Sequence, residues 1–336
     1  MVQLTVVGSL NYDLVSYTER IPEAGETFAA NSFETHIGGK GLNQTISLAK
    51  LSPHVEDSPI KVRIIGKVGD DQFGKELVDA LKEQSVDVKD VEVIKDVRSG
   101  VAVIIVEKST GENRILITAG ANGETKYSTD ELVNLFPPDS EREVVVFQNE
   151  IPGTIDTIKW LKENRAENIE VVYNPSPYSE ISSEVIDKVD ILVVNEGEAL
   201  EIAKDILPRE DYTNFKDMIK KDEVDGFLRL AIKLKAKINP DNSNVVVITL
   251  GSKGSIFTAP KNTGTTSKFV ESVKVDNVVD TTGAGDTFLG GLITQVSLGQ
   301  DLESSIRFAT KASSLAIQQN GAASSIPTFE QVTQQL

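Results

Sequence analysis

The sequence has no cysteine, only two histidines (His36 and His54) and a deficit of basic side chains, 34 Lys and Arg against 51 Asp and Glu. Without cysteine there are no disulfides, no thiolate metal sites and no cysteine nucleophile. Two histidines leave little for a multi-histidine metal centre or a Ser-His-Asp apparatus. The net charge of −17 repels phosphate backbones and anionic lipid, so neither nucleic acid nor a membrane surface is expected as a partner. It also means that an anionic substrate must be held by a local site that overcomes the global field. Apolar runs such as residues 101–106 and 245–248 are far shorter than the roughly 20 residues of a membrane helix. The first eight residues lack the basic and long apolar segments of a signal peptide. The expected setting is therefore a reducing cytosol.

What is present is ordinary globular composition, 39% apolar and 25% charged over 336 residues, ample for a substantial core. Unbroken β-branched runs at 4–7, 62–65, 144–147, 169–173, 191–194 and 245–250 suit parallel strands covered on both faces. Helical periods fall at 73–84, 154–164, 287–298 and 302–317. The alternation predicts one α/β domain over 1–336, a doubly wound, mainly parallel sheet flanked by helices. Residues 27–36 and 99–118 break the rhythm as extended, paired segments, the second with a turn at 109–113. They predict a small β-sheet lid built from about 11–37 and 98–120. A charged stretch at 204–240 carries Phe227, Leu228, Leu230, Ile232 and Leu234 at helical spacing. It is expected to be a helical surface insertion with a solvated face. Trp160 is expected in the core, His36 in a structural role, and His54 in a polar loop without chemistry.

The most informative stretch is Asp280-Thr281-Thr282-Gly283-Ala284-Gly285-Asp286-Thr287-Phe288-Leu289-Gly290-Gly291. A short strand enters a small-residue loop, and a helix leaves it. Backbone N–H groups of Gly283, Ala284 and Gly285 lie open at a helix N-terminus, a place that binds phosphate. As a dinucleotide fingerprint the segment fails, because Phe288 stands where the third glycine belongs. As a phosphate loop it fails for want of a lysine. Gly69-Asp70-Asp71-Gln72-Phe73-Gly74-Lys75-Glu76 is nearer, but it ends in Glu and puts two acids where phosphates would lie. Asp286 inside an anion hole would repel phosphate unless it accepts a proton from an attacking hydroxyl. A helix N-terminus weakens a carboxylate as a base, which phosphoryl transfer tolerates because the proton can move late. The plainer alternative is a helix cap.

With these residues in view, the chain resembles the PfkB-type sugar kinases. Residues 280–291 look like their second signature, and Gly38-Gly39-Lys40-Gly41-Leu42-Asn43-Gln44 is similar to their first. The likeness runs from Val6-Val7-Gly8-Ser9-Leu10-Asn11-Tyr12-Asp13 to Gly321-Ala322-Ala323-Ser324-Ser325-Ile326-Pro327, and is strongest to the members that phosphorylate D-ribose. It implies ATP-dependent transfer to the primary 5-hydroxyl of ribose, with Asp286 as general base and Gly283, Ala284 and Gly285 as the anion hole. Asn11 and Asp13 follow the first strand, at the sheet edge where ligands bind. An amide and a carboxylate there can hold vicinal hydroxyls, although a turn or a cap is the plainer reading. By resemblance Asn11, Asp13, Gly39, Lys40, Gly41, Asn43 and Glu150 hold the sugar. Asn195 and Glu198, in the N-x-x-E pattern, organise Mg²⁺ and phosphates, largely through water; first-turn acids at a helix start are the alternative. Thr249, Gly251, Gly254, Gly285 and Thr310 belong to the ATP side. Asp280, Thr282, Ala316, Gln319, Gly321 and Ser325 align with a monovalent-cation site, so K⁺ is an expected activator. A homodimer through the lid is implied as well.

Two features depart from the family pattern. Thr310 stands where these kinases often place an Asn near the adenine, and the 204–240 stretch is longer than in compact members. The alternatives are another acceptor on the same fold (adenosine, fructose or another pentose), a non-catalytic sugar- or nucleotide-binding regulator, and a dinucleotide-dependent dehydrogenase.

Overall fold

The computed structural model describes residues 2–53, 59–110, 112–138, 142–238, 244–261 and 264–336; His54 lies outside them. The strands, in chain order, are β1 (Val2–Val7), β2 (Asn11–Thr18), β3 (Ser32–Gly38), β4 (Ile60–Gly69), β5 (Val91–Ile94), β6 (Gly100–Glu107), β7 (Asn113–Thr118), β8 (Glu143–Phe147), β9 (Ile169–Tyr173), β10 (Ile191–Asn195), β11 (Val245–Thr249), β12 (Gly254–Lys261) and β13 (Gly264–Glu271). The helices are α1 (Lys40–Lys50), α2 (Gln72–Glu83), α3 (Thr129–Leu135), α4 (Thr154–Asn164), α5 (Ser183–Ile186), α6 (Glu196–Ile206), α7 (Arg209–Lys221), α8 (Glu223–Lys235), α9 (Ala284–Ser297), α10 (Leu302–Ala316) and α11 (Phe329–Thr333).

Nine strands form one sheet in the order β13-β12-β11-β10-β9-β8-β1-β4-β5. It is parallel from β11 to β5, and β12 and β13 close one edge as an antiparallel hairpin. Successive residues of β1 face opposite layers. Leu4 and Val6 enter a core with Leu42, Ile46, Phe288 and Ile306. Val7 enters a second core with Leu132, Ile158, Ile202 and Leu230. Helices α1, α2, α9 and α10 thus cover one face, and α3, α4, α6 and α8 the other. Within this sheet the chain moves from β1 to β4 and β5 on one side and, after crossing to β8, runs the opposite way to β9, which places the topological switch point at the carboxyl ends of β1 and β8. In open α/β sheets that crevice receives ligands.

A second sheet, ordered β3-β2-β6-β7, rises from this edge. It is mixed: β2 runs parallel to β6, while β2–β3 and β6–β7 are antiparallel. Asn11, Tyr12 and Asp13, for which a turn or a cap is the plainer reading from sequence, begin β2, the strand with which the lid starts. Where β2 leaves the body, Tyr12 stacks on Phe73 of α2 at 4.2 Å, and its hydroxyl donates to Glu76.

The 204–240 stretch divides, which corrects its reading as a surface insertion. Helix α7 buries none of its residues, whereas α8 buries Phe227, Leu230, Ala231 and Leu234. These lie three and four positions apart, one stripe of a helix, and they complete the layer over β11–β13. Trp160, expected in the core, is only partly buried at the rim of the second cluster, under the Arg165 guanidinium 5.0 Å away.

Candidate active site

Two helix N-termini converge on the crevice. Helix α9 begins after Gly283, which adopts a left-handed φ of 74° and offers no side-chain cap. A side chain there would be strained and would meet Ala322. The Gly283 and Gly285 N–H groups make no bond among the described residues, and nothing lies within 4 Å of where a Cβ on Gly285 would be. The Ala284 N–H, counted with them from sequence, already donates to Thr281 O at 3.2 Å. Asp286, in the first turn of α9, is only 6% exposed. It accepts from Gln44 Nε2 at 2.9 Å and from Asn43 Nδ2 at 3.4 Å, both on α1. Its described partners are therefore neutral amides.

Helix α1 starts in the glycine motif. A Cβ on Gly41 would lie 2.4 Å from the Ser9 nitrogen, so only glycine lets α1 seat this closely on the turn after β1. Glu150, after β8, accepts from the Lys40 N–H at 2.8 Å and from the Ser9 hydroxyl, both through Oε2. It therefore serves the start of α1, 110 residues upstream, a role the sequence did not suggest. Asn43 Oδ1 is buried with no partner.

Asp13 lies on the lid beside this crevice. Burial is the main force raising its pKa, to about 6; the nearby Glu150 adds to it and His36 opposes it. Asn11 is held rather than free: its Oδ1 accepts from Asn122 Nδ2 at 2.8 Å. Asn122 also bridges the Leu10 N–H and C=O, both at 2.9 Å, and so pins the base of the lid. Sequence reasoning missed Asn122, and it left Gln44 as a motif letter. Gln44 links Asp286 to Asn174 at 3.1 Å and accepts from Gln148 at 2.6 Å. Buried amides of this kind are recognisable only by their partners, which are remote in sequence.

Asn195 and Glu198 form a capping box at the start of α6. Asn195 Oδ1 accepts from the Glu198 N–H at 2.8 Å, and Glu198 Oε2 accepts from the Asn195 N–H at 3.0 Å. Strand pairing sets Asn195 beside Thr249. Gly251 and Gly254 turn the chain just beyond with φ of 52° and 139°. Thr310, on α10, is buried and its hydroxyl has no partner.

Asp280 gathers the loops of the expected cation site. Thr282 donates to it through N–H and hydroxyl, at 2.9 and 2.6 Å, and the Gly321 N–H does so at 2.9 Å. Burial works against its ionised form, but these donors prevail and hold its pKa below the ordinary value, helped by His36. Ser325 turns its hydroxyl onto Ala322 O, and Ala316 O accepts from the Gln319 N–H. The group offers oxygen donors alone, which fits a hard monovalent cation. Among the described residues no cluster of three His, Cys, Asp or Glu could hold a metal.

The sequence profile of the pfkB family carbohydrate kinases matches residues 1–329, and the chain belongs to that family. It is a phosphotransferase with an alcohol group as acceptor. Within the family it is similar to the ribokinase of Schizosaccharomyces pombe, 36% identical over 334 residues that cover 99% of this chain and 97% of that one. It is 35% identical to the ribokinase of Lactococcus lactis over 338 residues, covering 100% and 97%. Among solved structures, Arabidopsis thaliana ribokinase complexed with ribose and ATP matches with a TM-score of 0.78 at 29% identity, covering 98% and 97%. Cryptococcus neoformans ribokinase in complex with ADP matches with 0.79 at 25% identity, covering both chains fully.

Proposed function

We propose that this protein transfers the γ-phosphoryl group of ATP to the 5-hydroxyl of D-ribose, giving D-ribose 5-phosphate and ADP. The observation that carries the reading is the meeting of Asp286 with the buried, half-satisfied Asn43 where α1 and α9 begin. Relatives named ribokinase span the whole chain, and one related structure holds ribose and ATP.

Asp13, Asn43 and Glu150 bind the sugar hydroxyls, with Asn11, Gly39, Lys40 and Gly41 shaping the floor. Asn43 Oδ1 and the Glu150 Oε1 left free by its cap contacts are the acceptors on offer. Asp286 accepts the hydroxyl proton as the oxygen attacks phosphorus. The free N–H groups of Gly283 and Gly285 meet charge growing on the transferred group; that of Ala284 would first have to leave Thr281 O. Asn195, Glu198, Thr249, Gly251, Gly254 and Thr310 border the ATP side. Mg²⁺ near Asn195 and Glu198 would neutralise phosphate charge, and K⁺ beside Asp280 would stabilise the loop that leads into α9. The lid excludes water, a competing acceptor. We assign the lid a second task, homodimerisation, because its last strand leaves Ile115, Leu116 and Ile117 exposed beside an unpaired edge.

The test is ADP release with Mg-ATP and K⁺, with D-ribose, adenosine and fructose supplied separately. Release with ribose alone is expected. Release with another acceptor instead would move the substrate assignment, and silence throughout would return the chain to a binding role.

A further inference from the structure

Asp286 stands in the first turn of α9, yet its own helix does not fix its carboxylate. The helix start at Gly283 has no side-chain cap, and among the described residues no backbone N–H donates to Asp286. The carboxylate is fixed from α1 instead. Gln44 Nε2 donates to Oδ1 at 2.9 Å, whereas Oδ2 has only the Asn43 amide, at 3.4 Å. The two oxygens are therefore unequal, Oδ1 held firmly and Oδ2 loosely. Gln44 is in turn held on its other sides. Asn174, just after β9, donates from Nδ2 to Val193 O of β10 at 2.9 Å, which turns its Oδ1 toward Gln44. Only an N–H can face that oxygen, so Gln44 presents Nε2, with one hydrogen for Asn174 at 3.1 Å and one for Asp286. Its Oε1 is left to accept from Gln148 Nε2, just after β8, at 2.6 Å. Gln44 and Gln148 are both buried. The orientation of one amide on α1 is thus dictated from the carboxyl ends of three strands.

We propose that Gln44 is a positioning residue for phosphoryl transfer: it holds Oδ1 of Asp286 and so leaves Oδ2 as the oxygen that takes the proton of the acceptor hydroxyl. The idea rests on the reading of Asp286 as the base. In the transfer the hydroxyl oxygen bonds phosphorus, the bond from phosphorus to the ADP oxygen breaks, and the hydroxyl proton passes to Oδ2. A carboxylate free to rotate would meet the hydroxyl in fewer productive arrangements. A neutral amide fixes the carboxylate without supplying the opposite charge that would weaken it as a base. Asn43 borders the same oxygen, and its buried, partnerless Oδ1 marks a place for a donor beside it.

The experiment measures steady-state ADP release with ribose for the wild-type protein, Gln44→Met, Asp286→Asn and the double variant, with thermal melting to confirm that each folds. Methionine matches glutamine in length but donates no hydrogen bond. Gln44→Met should lower kcat about tenfold to hundredfold while KM for ribose stays within about twofold. In the Asp286→Asn background the same substitution should change the residual turnover by less than about twofold, because no base is left to position. Gln148→Met loosens Gln44 from its far side. It should lower kcat about threefold to tenfold in the same pattern, and it decides the matter should Gln44→Met not fold. An unchanged kcat, a change in KM alone, or a loss undiminished in the Asp286→Asn background would reduce Gln44 to packing and overturn the proposal. Wild-type turnover in Asp286→Asn would instead overturn the base assignment, and this inference with it.

Discussion

Both ends of the parallel sheet bury charge, and they treat it differently. At the amino ends of β1, β4 and β8, Arg63 donates from Nε to Thr5 and Glu143, from Nη1 to Asp90, and from Nη2 to Leu135 O and Glu143. Nearby, Lys162 and Asp190 pair at 2.8 Å, and Asp190 also accepts from the Val171 N–H. At the carboxyl ends, among the described residues, Asp286 has only amide donors, Asp13 feels the charge of Glu150, and Asn43 and Thr310 keep unpartnered polar atoms. A buried charge with a complete set of partners stabilises a fold. A buried charge with neutral donors or like neighbours marks a candidate ligand site.

The largest expected break in this contrast is Asp286→Asn. Turnover measured by ADP release should fall at least a hundredfold, while ribose binding by calorimetry persists. Retained turnover would remove Asp286 as the base. Next is Arg63→Met, which strands Glu143 and Asp90 at the other end. Unfolding stability should drop by about 3–5 kcal/mol in urea titration, with kcat/KM of the folded protein unchanged. A loss of activity without a loss of stability would erase the distinction between the two ends.

Asp13→Asn should do the reverse of Arg63→Met. The pKa of Asp13 is raised to about 6, so its folded form holds a proton more firmly than the unfolded chain does. Its contribution to stability is present below the unfolded value near 4 and is lost as pH rises through 6. Replacing it with Asn should therefore raise stability by roughly 1–2 kcal/mol at pH 8 and by almost nothing at pH 4, while KM for ribose climbs more than about tenfold. Paired melting curves at the two pH values decide it; equal gains at both would dissociate the effect from the carboxylate.

The two ends were not equally legible. The β-branched runs placed the six named strands of the large sheet within a few residues of their ends, because strands buried on both faces are written as continuous apolar sequence. The glycine loop at 283–285 announced itself through local backbone chemistry. The amide web did not: Gln44, Gln148 and Asn122 find partners 104 to 242 residues away, which no local pattern can mark. Glu150 was named as a sugar ligand, but its bond to the start of a helix 110 residues upstream escaped for the same reason. Helix α8 was misjudged because Lys220, Lys221, Asp222 and Glu223 sit in front of its apolar stripe, and charge density at one end hid burial along the next.

The smallest expected effect concerns a residue that the comparison leaves between its two classes. Glu198 is buried and bonded within its own helix start, like the charges of the amino end, yet it stands at the carboxyl end of β10 on the proposed ATP side. Glu198→Gln separates the two roles, because glutamine still accepts from the Asn195 N–H and closes the capping box. Stability should change by no more than about 0.5 kcal/mol, whereas Asn195→Ala should cost about 1 kcal/mol by removing the cap itself. If Glu198 also organises Mg²⁺, the Mg²⁺ concentration giving half-maximal rate should rise several-fold in Glu198→Gln, since one negative charge has left the surroundings of a divalent ion. An unchanged Mg²⁺ requirement would place Glu198 with Arg63 and Asp190, as a charge whose helix already uses it in full.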